Sequence, residues 1–91
     1  MEIKGIRLSV RISQHDFDFR FEQAKKFLER GDKLKLELIL KGRERQHPEK
    51  AEEIMKKFYQ KLKATPGLNM DIEQGLTKQG GRFNIILINK Q

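Results

Sequence analysis

His15 followed by Asp16, and His47 followed by Pro48-Glu49, are the two places where acid–base chemistry could reside. An imidazole changes charge near neutrality, and a neighbouring carboxylate can fix its tautomer. Neither histidine has the rest of a catalytic constellation around it. Each sits near a predicted helix N-terminus, where capping or a surface position is the ordinary role. Two histidines far apart in a chain without cysteine offer no metal-ligand spacing. Gly80-Gly81 lacks the strand-then-helix setting of a phosphate loop, and neither a Walker sequence nor G-x-S-x-G occurs. The sequence therefore predicts no enzyme, no cofactor and no metal.

Positive charge is the remaining chemistry. Lys and Arg number 20 against 13 Asp and Glu, a formal net charge of +7. The excess runs through both halves of the chain, within predicted elements. A basic domain commonly meets nucleic acid or an anionic membrane surface. Arg7 and Arg11 on a first strand, and Lys33, Lys35 and Lys41 on a second, are expected on one sheet face. Arg43 and Arg45 would extend that face at a loop. Such a face can neutralise phosphates. The plainer reading is a solvated sheet face that Lys protects from edge pairing. An RNA recognition motif would also need stacking aromatics on the open face. The first two strands carry none, and Phe83, the one strand phenylalanine, reads as core.

The elements that must position these charges follow from apolar spacing. In IKGIRLSVRI, residues 3–12, Ile6, Leu8, Val10 and Ile12 alternate with Arg7, Ser9 and Arg11, which predicts a strand. Over residues 16–30, Phe17, Phe21, Ala24 and Leu28 recur at helical spacing and Phe19 points away. Asp16 and Asp18 open that helix, Lys25, Lys26 and Arg30 close it, and Gly31 caps it. Residues 33–41, KLKLELILK, alternate again. Pro48 begins a second helix to residue 63, with Ala51, Ile54, Met55, Phe58 and Leu62 as its apolar stripe. Met70 and Ile72 suggest a third strand, Gln79-Gly80-Gly81-Arg82 a hairpin turn, and FNIILI, residues 83–88, a buried fourth strand.

The order β-α-β-α-β-β predicts an α+β, two-layer fold: a four-stranded mixed sheet with two helices on one face. The helix-joined first strands should be parallel with a right-handed crossover, and the last two antiparallel. Leu34, Leu36, Leu38, Ile54, Phe58 and Ile86 are the expected core. The 91 residues suit a single domain, which buries about 60–65% of its unfolded surface and leaves little room for a deep cavity. No apolar run approaches the ~20 residues of a membrane span, and no secretory leader is evident. Absence of cysteine fits a reducing compartment.

Lys4-Gly5-Ile6-Arg7-Leu8, His15-Asp16-Phe17, Lys26-Phe27-Leu28-Glu29-Arg30-Gly31-Asp32-Lys33, Lys41-Gly42-Arg43-Glu44 and His47 together resemble the C-terminal domain of bacterial translation initiation factor 3. The match in order and spacing is gap-free over residues 4–47. Beyond residue 47 only the element pattern is shared. The resemblance implies the same β-α-β-α-β-β fold. It also implies a cytoplasmic role that involves no chemistry and needs no cofactor: binding ribosomal RNA on the small ribosomal subunit, opposing subunit joining and aiding start-site selection.

 A monomer is expected, with no membrane partner.

Residue by residue, the family's RNA-contacting positions correspond to Arg7, Arg20, Lys26, Lys41, Arg43 and Lys57, with Arg82 standing for an arginine of the hairpin turn. Gly42 would set the loop geometry that presents Arg43. Glu22, Ile39 and Gly81 depart from positions where family members commonly carry arginine. The family's N-terminal domain and linker have no counterpart in these residues, so an excised domain is one expectation. The alternative is an engineered or designed stable scaffold on this fold with no retained ligand binding, which the regular KLKLELILK strand and charge-graded helices would suit.

Overall fold

The computed structural model describes residues 2–90. Strand β1 (Ile3–Leu8) leads through α1 (Gln14–Glu29) to β2 (Lys33–Ile39). A 3₁₀ turn (Gly42–Gln46) then leads through α2 (Pro48–Lys63) to the hairpin of β3 (Met70–Gln79) and β4 (Arg82–Asn89). The sheet order is β1-β2-β4-β3. β1 and β2 are parallel, and β4 runs antiparallel to both of its neighbours. The predicted two-layer, mixed-sheet fold is the one observed.

Alternation decides which side of each strand meets the helices. Leu34, Leu36 and Leu38 of β2 stand level with Ile6 and Leu8 of β1 on one side and with Phe83, Ile85 and Leu87 of β4 on the other. All of these are buried. They pack under Phe17, Phe21, Ala24 and Leu28 of α1 and Ala51, Met55, Phe58 and Leu62 of α2 in one core. Phe58 joins the helices, meeting Phe17 and Phe21 edge-on at centroid distances of 5.4 and 6.1 Å. That geometry sets a positive ring edge against a negative ring face.

Local chemistry explains the boundaries. The Ser13 hydroxyl accepts the Asp16 N–H at 3.1 Å, so α1 begins at Gln14, two residues before the predicted start. Its far end closes on Gly31, at φ +88°, with Gly31 N–H donating to the Leu28 carbonyl and Asp32 N–H to that of Phe27. These are the paired bonds of a Schellman cap, which needs the left-handed conformation glycine tolerates. The hairpin turn uses Gly80 and Gly81 at φ +57° and +80°, and both positive values suit a two-residue turn matched to the twist of its strands.

Five expectations need correction. The first strand stops at Leu8 because its ladder with β2 stops at Leu38. The chain then turns, with Ile12 N–H donating to the Ser9 carbonyl, and Arg11 leaves the sheet. β2 ends at Ile39, so Lys41 also lies off the sheet. Ile54 is half-buried at the margin of the core. Ile86 faces the open side of the sheet, opposite Lys35, because a period of two puts Ile85 and Leu87 inside. β3 runs longer than Met70 and Ile72 alone indicated, with register shifts between Ile72 and Gln74 and between Gln74 and Thr77.

Candidate nucleic-acid interface

Both β-α connections and the β3–β4 turn lie at one end of the sheet. β1 and β2 finish there, and β4 starts there opposite Ile39. The Leu40 N–H donates to the Gly81 carbonyl at 2.8 Å, which binds the hairpin turn to the segment that follows β2. Leu40 itself is buried, so this segment is anchored on the core. The rim of connections carries Arg11, Lys41, Arg43, Arg45, Lys50 and Arg82, all exposed.

The 3₁₀ turn sets the direction of these charges. Gly42 adopts φ +55°, a left-handed value that reverses the chain immediately after β2. The Glu44 carboxylate accepts the Lys41 N–H at 2.9 Å, and the Glu44 N–H returns to the Lys41 carbonyl at 3.0 Å. Arg11 Nε approaches the same carboxylate at 3.6 Å. Glu44 is thus committed to the turn and to Arg11, and Arg43 has no carboxylate within ion-pair distance among the described residues. An unpaired guanidinium keeps its planar fork of donors for an external acceptor. Arg45 lies across the hairpin, where a Cβ on Gly81 would come within 3.4 Å of its Nε. A shallow concavity of about 350 Å³ opens between the turns, lined by Val10, Arg11, Arg43, Glu44, His47 and Lys50.

The residues singled out from the sequence divide among three surfaces. Lys41, Arg43 and Arg82 meet at the rim, with Gly42 holding the turn. Arg7 lies on the open sheet face, paired with Glu37 at 3.3 Å. Lys33 on that face pairs with Glu73 of β3, and Asp71 pairs with Lys90 at 2.9 Å. The open face is therefore charge-mixed rather than a basic platform, and Ile39, Ile86 and Ile88 interrupt its charges. Arg20 and Lys26 are exposed on α1, with Arg20 donating to Gln23 at 3.2 Å. Lys57 on α2 stands 5.3 Å above the Phe17 ring. Neighbouring Lys61 donates to Asp18 at 3.1 Å and lies 4.5 Å from the Phe21 centroid. That contact, with help from Gln14, holds the Asp18 carboxyl below its ordinary range.

Lys50 was the rim residue that spacing did not assign to a site, and Arg11 was expected on the sheet face rather than at the rim. Arg11 was placed on a strand by its alternation, and Lys50 read as one more charge in a helix. Only the turn after Leu8 brings Arg11 beside Arg43. His15 and His47 remain apart in role: His15 is exposed on the first turn of α1, while His47 Nδ1 lies 3.2 Å from Glu49. Among the described residues no cluster of three or more His, Cys, Asp or Glu could hold a metal. No helix among them is long and apolar enough to cross a membrane.

The chain matches the family "Translation initiation factor IF-3, C-terminal domain" over residues 1–90. It is 35% identical over 86 residues to a translation initiation factor IF-3 of Parasynechococcus marenigrum, covering 94% of this chain and 38% of that protein. It is 31% identical over 90 residues to the Microcystis aeruginosa factor, covering 99% and 49% respectively. A Nitratiruptor factor is 44% identical over 58 residues, covering 64% and 33%. The chain thus spans between a third and a half of the length of these relatives, which are translation initiation factors and not enzymes. By fold, by element order and by sequence across its length, the chain belongs to the family of the C-terminal domain of translation initiation factor IF-3.

Proposed function

We propose that these 91 residues act as one ribosome-binding domain in translation initiation, docking on ribosomal RNA of the small subunit through the basic rim. In that position the domain opposes subunit joining and aids start-site selection. The observation that carries this reading is Arg43, exposed on a glycine-set turn, free of any carboxylate partner among the described residues, and surrounded by Arg11, Lys41, Arg45 and Lys50. Phosphate contacts of this kind position a protein on RNA without reading its bases. Family membership supplies the ribosomal context. The domain works as a monomer, in the cytoplasm or in an organelle with its own ribosomes; two relatives, from Euglena gracilis and Cyanidioschyzon merolae, are named as chloroplastic.

Cosedimentation with isolated small subunits across a salt series tests the proposal. The domain should pellet at low salt and release steeply as salt rises, because each neutralised phosphate frees condensed counterions. A folded protein that stays in the supernatant at low salt would overturn it and favour a stable scaffold without a ligand.

A further inference from the structure

The concavity at the rim has more definition than a spread of surface charge. Three cations, Arg11, Arg43 and Lys50, line it from three different segments: the turn after β1, the 3₁₀ turn and the first turn of α2. Glu44 is the one carboxylate in the lining, and two of its contacts are already made within the protein. It accepts the Lys41 N–H at 2.9 Å and faces Arg11 Nε at 3.6 Å. Glu44 therefore links the turn after β1 to the 3₁₀ turn through an exposed ion pair with Arg11. Val10 gives the concavity an apolar side and His47 an aromatic one. Arg43 and Lys50 come from consecutive turns, whereas Arg11 is more than thirty residues away in sequence, so the fold is what adds it to them.

We propose that Arg11, Arg43 and Lys50 together seat a single phosphate of an RNA backbone, with Glu44 positioning Arg11. This rests on the reading of the rim as an RNA-binding surface and makes it specific. Arg43 presents its fork to two phosphate oxygens, and Lys50 adds a compact charge. Arg11 completes the seat from the opposite wall. A duplex or single strand lying along the rim would then be fixed in register by one phosphate rather than attracted diffusely.

The consequence is measurable because counterion release counts phosphates neutralised, not cations present. Binding of a short single-stranded RNA, and separately of small subunits, is measured across a salt series for the wild type, Arg11→Gln, Arg43→Gln and the double variant. Lys63→Gln, on α2 outside the concavity, is the control. If the cations share one phosphate, each single variant binds about tenfold more weakly, and the double variant loses far less than the hundredfold of independent sites. The salt slope of the double variant then falls by about one unit, not two. Glu44→Gln should weaken binding in the wild type but have little effect in Arg11→Gln, since its role acts through Arg11. Melts confirm that each variant is folded. Additive losses with a slope two units lower would overturn the shared seat while leaving a basic rim in place. If the RNA strand binds with coupled losses but small subunits do not pellet, the seat stands and the ribosomal reading falls. Shifts of Val10, Glu44 and His47 amide resonances with inorganic phosphate alone, equal to those with RNA, would assign the seat to free phosphate and overturn an RNA-backbone site.

Discussion

At the scale of single residues, the rim depends on one guanidinium and one backbone angle. Arg43→Lys keeps the charge and loses the planar fork, so the salt slope should stay unchanged while affinity for small subunits falls several-fold. Arg43→Ala should weaken binding further and lower the slope by about one unit, with the melting temperature unmoved, since an exposed arginine carries little packing energy. Binding isotherms at several salt concentrations, beside thermal melts, separate these outcomes. Gly42 acts differently. No atom lies within 4 Å of where its Cβ would stand, so substitution meets no clash. Its φ of +55° is the obstacle, and a β-branched side chain resists that region most. Gly42→Val should cost about 1–3 kcal/mol in urea melts and displace Arg43, lowering affinity as well. Equal stability would show that the turn relaxes to another conformation without loss.

At the scale of elements, β2 is the centre of the molecule and its two faces have different energetics. Leu36 is fully buried between β1 and β4, and Leu36→Ala should cost roughly 2–5 kcal/mol. Ile86, next door on β4 but on the open face, is only half-buried. Ile86→Ala should cost less than half as much, while Ile85→Ala should fall in the Leu36 range. Denaturant melts of the three variants would show whether period-two alternation assigns the faces of β4 as described. The helices are joined on their outer side by Lys61 and Asp18. Asp18 sits below the usual carboxylate range first because Lys61 donates to it, and next because Gln14 does. A carboxyl lowered in the native state adds stability above its unfolded pKa, and that stability is lost as pH falls through the lower native value. Lys61→Met should therefore move the Asp18 titration upward toward the ordinary range and reduce the acid sensitivity of the fold. Carboxyl NMR titration of both proteins reads the shift directly, and an unmoved Asp18 would show that Gln14 alone holds it.

At the scale of the whole molecule, the cations suggested by family resemblance do not form one patch. α1 begins at the rim with Gln14, and Lys26 lies twelve residues on, about 18 Å away along the helix. Lys41 and Arg43 are at the rim, and Arg7 is on the sheet face away from the helices. A partner touching all of them must be large and curved around the domain, as a folded RNA is. Separation also makes a prediction. Lys26→Ala and Lys41→Ala should weaken small-subunit binding by amounts that add in the double variant, because the two sites share no neighbour. Marked coupling between them would indicate that the domain changes shape on binding.

Much of this architecture was legible in the chain. Leu34, Leu36 and Leu38 alternate, Phe17, Phe21, Ala24 and Leu28 recur at helical spacing, and Gly31 and Gly80-Gly81 mark the ends that need positive φ. These are local rules, so residues close in sequence are enough to state them. Arg43 on its glycine-led turn was legible for the same reason. Other features depended on contacts between distant segments. Alternation continued through Val10 and Ile12, but a strand lasts only while a neighbour supplies its hydrogen bonds, and β2 supplied none beyond Leu38. The apolar run of β4 could not say which of Ile85 and Ile86 faces inward, because that depends on register with β2. Sequence alone determined the element order, the core periodicity and the family. The tertiary structure decided which charges stay free, because Glu37 and Glu73 engage Arg7 and Lys33 across strands while Glu44, held by its own turn, leaves Arg43 without a carboxylate partner among the described residues.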